Sequence, residues 1–134
     1  MSRIRVLLAD PNPAVLDTIG DMLQPQCEIV GTAQSGKELL KSARALNPDL
    51  VILEVGMGDI TGFEALRRLQ DSGCGARCIF LSLHEGVDFI NTAMKMGASA
   101  YVFKSSANSD LPAAVRRAIE EGLLTKATSD AQAE

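Results

Sequence analysis

The chain has 134 residues, 46% of them apolar, no Trp, and a formal net charge of -4. That length suits one domain with a real core and is too short for two ordinary ones, and the acidic balance works against binding phosphate backbones, so this domain alone is not expected to bind nucleic acid. No apolar run approaches the roughly 20 residues that a bilayer crossing needs, and Met1-Ser2-Arg3-Ile4-Arg5 leads straight into a strand-like segment, so neither signal peptide nor membrane anchor is expected.

In chain order, Ile4 to Ala9, Cys27 to Ala33, Leu50 to Val55, Cys78 to Ser82 and Ala100 to Phe103 are short and nearly all apolar. Strands buried on both faces read this way, which predicts a parallel sheet. Helical spacing fills the gaps between and after them. Val15, Ile19, Met22 and Leu23 make the first stripe; Leu39, Leu40, Ala43 and Leu46 the second; Phe63, Leu66 and Leu69 the third. Ile90, Ala93, Met94 and Gly97 make the fourth, and Leu111, Ala114, Val115, Ala118 and Ile119 the fifth.

Punctuation agrees with these boundaries. Pro13 opens the first helix, Ser35 and Thr61 are N-cap candidates with an acid three residues on, and Gly97 ends the fourth helix. Strictly alternating strand and helix units with right-handed crossovers predict an α/β fold, a doubly wound five-stranded parallel sheet with helices on both faces. The domain is expected to span 1–124, with the small, polar residues 125–134 as a tail or the start of a linker. Cys27, Cys74 and Cys78 are an odd set in a chain with no secretion signal, which points to a reduced, cytoplasmic setting without disulfides. Cys74 and Cys78 have no second ligand pair and His84 is the only His, so they read as a loop thiol and a buried strand thiol rather than a metal site.

Ligands of an open parallel sheet bind beyond the carboxyl ends of its strands. Those positions hold Asp10, then Pro11, Asn12 and Pro13, after the first strand; Glu54, Val55 and Gly56 after the third; Ser82 at the end of the fourth; and Lys104 after Tyr101 in the fifth. Two carboxylates, a hydroxyl and an ammonium should therefore converge. Glu54 beside Lys104 also has a plainer reading as a structural ion pair, since a carboxylate at the end of an apolar strand is expensive to leave unpaired.

The stretch PDLVILEVGMGDITGFEAL resembles the segment of two-component response-regulator receiver domains in which a strand carries the phosphorylated Asp and a Gly-containing loop leads into the third helix. IFLSLHE resembles the strand ending in Ser or Thr, and GASAYVFK the strand with a switch aromatic and a Lys. The resemblance runs from about Arg3 to Gly122. It implies the (βα)5 receiver fold, with Glu54 at the phospho-acceptor position, Asp10 in the acidic pocket, and Ser82, Tyr101 and Lys104 as switch and phosphoryl-binding residues. It also implies a phosphorelay partner, a sensor histidine kinase, and a signalling role in transcription regulation without enzymatic turnover. LSLHE, and Ser105 after Lys104 where many relatives have Pro, lean toward receivers linked to helix-turn-helix output.

Three departures from the family pattern bear on function. Family members place two consecutive acids after the first strand, whereas here Asp10 precedes Pro11, which has no side-chain oxygen. Glu54 is longer than Asp by one methylene, roughly 1.5 Å, and in-line transfer tolerates such displacement poorly. Gly58-Asp59 stands where Pro-Gly is common, so a looser loop is expected, with Asp59 a solvated or capping group in preference to a replacement acid. The expectation is a receiver regulated without conventional aspartyl phosphorylation, with Glu54 partly imitating a phosphoryl group and controlling the surface of helix four, strand five and helix five, a possible homodimer face. The alternatives are a receiver that still takes a phosphoryl group, with Mg2+ held weakly by Asp10, Glu54 and the Gly56 carbonyl, and a passive dimerisation domain. A phosphatase or flavodoxin-like carrier is disfavoured, because no Gly-rich phosphate turn follows the first strand and no Cys nucleophile has an adjacent Arg.

Overall fold

A computed structural model of the chain describes residues 3–133, with side chains described through Gly122. The elements are β1 (Arg5–Ala9), α1 (Pro13–Leu23), β2 (Glu28–Ala33), α2 (Gly36–Leu46), β3 (Leu50–Leu53), α3 (Gly62–Asp71), β4 (Arg77–Ser82), α4 (Val87–Lys95), β5 (Ala100–Phe103) and α5 (Ala107–Ala133), the last entered through a single 3-10 turn, Lys104–Ser106. All five strands run parallel in the order β2-β1-β3-β4-β5. The order reverses at β1, and the crevice between the ends of β1 and β3 is the switch point of a doubly wound sheet.

Alternate side chains of each strand feed two cores. Leu7, Ala9, Val51, Leu53 and Phe80 pack with Leu39, Leu40, Leu66, Leu69 and Ala93 of α2, α3 and α4. Val6, Leu8, Ile52, Ile79 and Val102 pack with Leu16, Ile19, Leu111 and Val115 of α1 and α5. Both faces are thus covered, which explains why the strands read as continuous apolar runs rather than alternating ones.

The predicted caps form, Ser35 Oγ accepting from the Glu38 amide and Thr61 Oγ1 from the Glu64 amide, and Asn12 Oδ1, not singled out in the sequence, accepts from the Ala14 amide at the start of α1. Gly97, at φ 92°, follows α4. Some boundaries differ from the sequence reading. Cys27 belongs to the turn after α1, its amide bonded to the Leu23 carbonyl, and β3 ends at Leu53. Met94, expected on the buried side of α4, is 47% exposed. The helix turns Ala93 onto the sheet, and its neighbour, about 100° further round, faces away. The α5 backbone stays helical as far as Ala133, through most of the segment given as a tail or the start of a linker.

Gly62 fixes the approach of α3 to the end of β3. Its amide donates to the Val55 carbonyl at 2.7 Å, and a Cβ there would sit 2.2 Å from the Glu54 carbonyl oxygen. The clash is with backbone, which cannot swing aside as a flexible side chain could. Gly62→Ala should lower stability by roughly 1–3 kcal/mol, read from the urea midpoint; an unshifted midpoint would mean that the β3–α3 loop yields freely.

Candidate functional site

Register sets the site. Ala9 pairs with Leu53, so Asp10 and Glu54 leave adjacent strands at the same level. Ser82 pairs with Phe103, so Lys104 leaves β5 one step beyond Ser82. Asp10, Glu54 and Ser82 are buried, at 5%, 4% and 0% exposure. The Lys104 ammonium reaches both acids, with Nζ 2.6 Å from Asp10 Oδ2 and 3.0 Å from Glu54 Oε1.

Every carboxylate oxygen in this cluster accepts a hydrogen bond. Asp10 Oδ1 takes the Asn12 amide at 2.9 Å. Glu54 Oε1 takes the Leu83 amide at 3.0 Å, and Oε2 takes the amide of Val55 at 2.6 Å. Burial pushes the Glu54 carboxyl up, but the Ser82 hydroxyl, the Leu83 amide and Lys104 outweigh it and hold the group below its ordinary value. Lys104 mirrors this: burial pushes its ammonium down, and its bonds to Asp10 and Glu54 more than restore it. Glu54 and Lys104 therefore carry opposite charges at neutral pH.

The segment after β4 is tied to β5. Ser82 Oγ accepts from the His84 amide at 3.1 Å, the Tyr101 hydroxyl donates to the His84 carbonyl at 2.5 Å, and Ser105 Oγ donates to Glu85 Oε2 at 3.2 Å. The Tyr101 ring stacks near Phe80, at 6.1 Å between centroids. Burial and the Glu54 charge raise its hydroxyl pKa, against the lowering effect of Ser82. The His84 ring stacks on Phe89 at 4.6 Å, and its Nε2 lies 3.7 Å from where a Cβ on Gly56 would be, so the ring sits beside the β3–α3 loop.

The family described as the response regulator receiver domain matches residues 6–116. The chain belongs to that family. It is 35% identical over 115 residues to the response regulator GacA of Pseudomonas viridiflava, covering 84% of this chain and 54% of that protein. It is 29% identical over 115 residues to the transcriptional regulatory protein MctR of Rhizobium johnstonii, again covering 84% and 54%. A two-component response regulator of the LuxR family from Aurantimonas superposes with a TM-score of 0.81 at 29% identity, over 87% of this chain and 84% of that one. The chain spans about half the length of the curated relatives it matches.

Receivers hold Mg2+ at the acidic pocket, and the residues here fit it poorly. Mg2+ demands near-octahedral oxygen coordination and gives up its waters reluctantly. This receiver offers two carboxylates, both bonded to the Lys104 ammonium, and Pro11 adds no oxygen. Among the described residues no group of three or more His, Cys, Asp or Glu is placed to hold a metal ion.

Asp59 does not join the pocket. Its Oδ1 accepts from the Gly36 amide at 2.8 Å and its Oδ2 from the Lys37 amide at 3.0 Å, so it caps α2 from the neighbouring loop. Gly58 makes the turn that allows this, at φ 90°, a conformation L side chains rarely adopt. The loop expected to be looser is thereby anchored. The Lys37 amide bond, with help from those of Gly36 and Ile60, lowers the Asp59 carboxyl from 3.8 to about 2.

What residue-by-residue reading missed is backbone: the amides of Val55 and Leu83 and the His84 carbonyl. The only signal for them was position, each following or adjoining a residue already singled out at a strand end.

Two outcomes follow from this geometry. Lys104→Met leaves two buried carboxylates without their cation and should cost on the order of 3 kcal/mol at neutral pH; an unchanged denaturation midpoint would contradict the ion pair. Asp59 has its folded pKa below the unfolded value, so its contribution is present above 3.8 and lost as pH falls toward about 2. Asp59→Asn should therefore lower Tm at pH 7 while wild type and variant converge through that acid range; a gap independent of pH would argue against the cap.

Proposed function

We propose that this receiver signals without conventional aspartyl phosphorylation. In this reading Glu54 and Lys104 hold its output surface in one arrangement by themselves. The observation that carries the reading is Glu54 Oε1, which reaches both the Lys104 ammonium and the Leu83 amide at 3.0 Å. An acceptor carboxylate one methylene longer than Asp spans from the end of β3 to the ends of β4 and β5. It does there, with one negative charge, part of what a phosphoryl group does with about two.

Lys104 takes the place of a divalent cation between Asp10 and Glu54, and Ser82 and Tyr101 respond to the carboxylate as switch residues. The Tyr101 and Ser105 bonds to the β4–α4 loop pass that state to the surface of α4, β5 and α5. That surface exposes Leu83 and Val87, at 71% and 66%, and Met94, apolar groups suited to a homodimer contact or a partner protein. With relatives about twice as long, one of them a transcriptional regulatory protein, the receiver would govern a transcriptional output. Its input would be a sensor histidine kinase only if phosphotransfer survives.

Treatment with acetyl phosphate and Mg2+, followed by mass spectrometry, tests the reading. Wild type should gain no phosphoryl group at Glu54, whereas Pro11→Asp combined with Glu54→Asp should accept one, since Ser82 and Lys104 already stand in position and phosphoryl transfer asks mainly for position and charge. A stable phosphoryl adduct on wild-type Glu54 defeats the proposal. A folded double variant that neither gains the group nor shifts its Ser82 and Tyr101 NMR signals with fluoroberyllate defeats the pocket assignment itself.

A further inference from the structure

Among the described residues, the large apolar side chains left exposed are Leu83, Val87 and Met94, and all three lie on α4 or on the loop that enters it. Val87 and Met94 are seven positions apart, close to two full turns, so they share one face over a span of about 10 Å. Asn91, also exposed, lies between them on that face. Ala93, which packs α4 onto the sheet, is roughly 100° or more round the helix from each of the three. The stripe therefore points away from the core.

One flank of this stripe carries both signs of charge. Asp88 follows Val87 and Lys95 follows Met94, so the two charges repeat the seven-residue interval one step round the helix. Both are exposed, and among the described residues neither side chain enters an ion pair. They cannot pair with each other, because positions i and i+7 stand about 10 Å apart along the axis.

We propose that two copies of this chain pair through α4, antiparallel, about a two-fold axis beside Asn91. A two-fold contact is self-complementary: residue i meets j while j meets i. The antiparallel arrangement sets Val87 against Met94 of the second copy, twice, and brings Asp88 alongside Lys95 of the second copy, twice. Parallel helices would instead put the charged flanks on opposite sides of the contact and leave all four charges unpaired. The apolar stripe supplies the attraction, and the order of charges selects both the occupant and its direction. The proposal rests on the reading that Glu54 holds this surface in one arrangement, since the Glu54 carboxylate accepts from the amide of Leu83 at the head of the patch. It narrows that surface to α4 and asks nothing of β5 or α5.

Sedimentation equilibrium of the purified chain tests the contact. A monomer–dimer equilibrium with Kd on the order of 10–100 µM is expected, the weak range that suits a single helix face. Asp88→Lys and Lys95→Asp should each weaken it roughly tenfold or more, because each sets like charges together at two places. An equimolar mixture of the two variants restores both opposite pairs and should recover dimer at the wild-type level, an outcome that altered stability of α4 alone cannot produce. If either variant fails to fold by circular dichroism, Asn91→Glu, which brings two carboxylates together at the axis, should weaken the dimer in the same way. Wild type that stays monomeric at about 1 mM, folded single variants that dimerise as well as wild type, or a mixture that stays monomeric would each overturn the contact. Glu54→Gln separates it from the reading on which it rests: an unchanged dimer in that variant keeps the contact and defeats Glu54 as the group that holds the surface, whereas loss of dimer in the folded variant supports both.

Discussion

The ammonium of Lys104 between Asp10 and Glu54 is the interaction around which the rest of the site is arranged. It joins the ends of β1, β3 and β5 through two contacts of 2.6 and 3.0 Å. Taking three charges out of water is unfavourable, and Coulomb attraction alone rarely offsets it; the remaining lone pairs must be satisfied as well. Here they are, by the amides of Asn12, Val55 and Leu83. All three amides lie just beyond a strand end, where the chain has left the ladder and its N–H groups are free to turn inward. The parallel sheet thus supplies the donors that make a buried charge cluster tolerable.

Much of this was legible in the sequence, because a parallel sheet converts local pattern into position. Once Ala9, Leu53, Ser82 and Phe103 are recognised as strand ends, the residues around them must converge whatever the helices do. Asp59 was different. Its bonds run to Gly36 and Lys37, more than twenty positions away, and nothing in the local sequence distinguishes a capping carboxylate from a pocket one. Met94 failed for a related reason: on a nine-residue helix the apolar stripe is too short to fix the rotation, and Ala93 alone takes the fully buried place.

The same cluster bears on how a signal could enter. A phosphoryl group is useful as a switch because it comes and goes, and its metal ion comes with it. A carboxylate held by Lys104 and three neighbouring groups, and kept ionised by them, does neither. In the proposed reading the β4–α4 loop, bonded through Leu83, His84 and Glu85, waits for no reversible ligand. Loss of the Lys104 bond would free Glu54 only by leaving it buried and unpaired, so thermal fluctuation between two states of the pocket is opposed by the desolvation of the charge itself.

In the proposed reading, control acts on something other than the acceptor's charge. Outside the pocket, control would act at surfaces where a partner can bind. One is the face carrying Leu83, Val87 and Met94, where burying exposed apolar groups against a partner stabilises whichever loop arrangement presents them. Asp59, at the end of the loop that begins beside Glu54, caps the very helix that carries Lys37, Lys41 and Arg44. Whatever shifts the start of α2 would bear on that cap, and through residues 55–58 on the strand end that positions Glu54. A ligand can shift an equilibrium only by binding its two states unequally, and the short covalent path from cap to acceptor is where such a difference would have to arise.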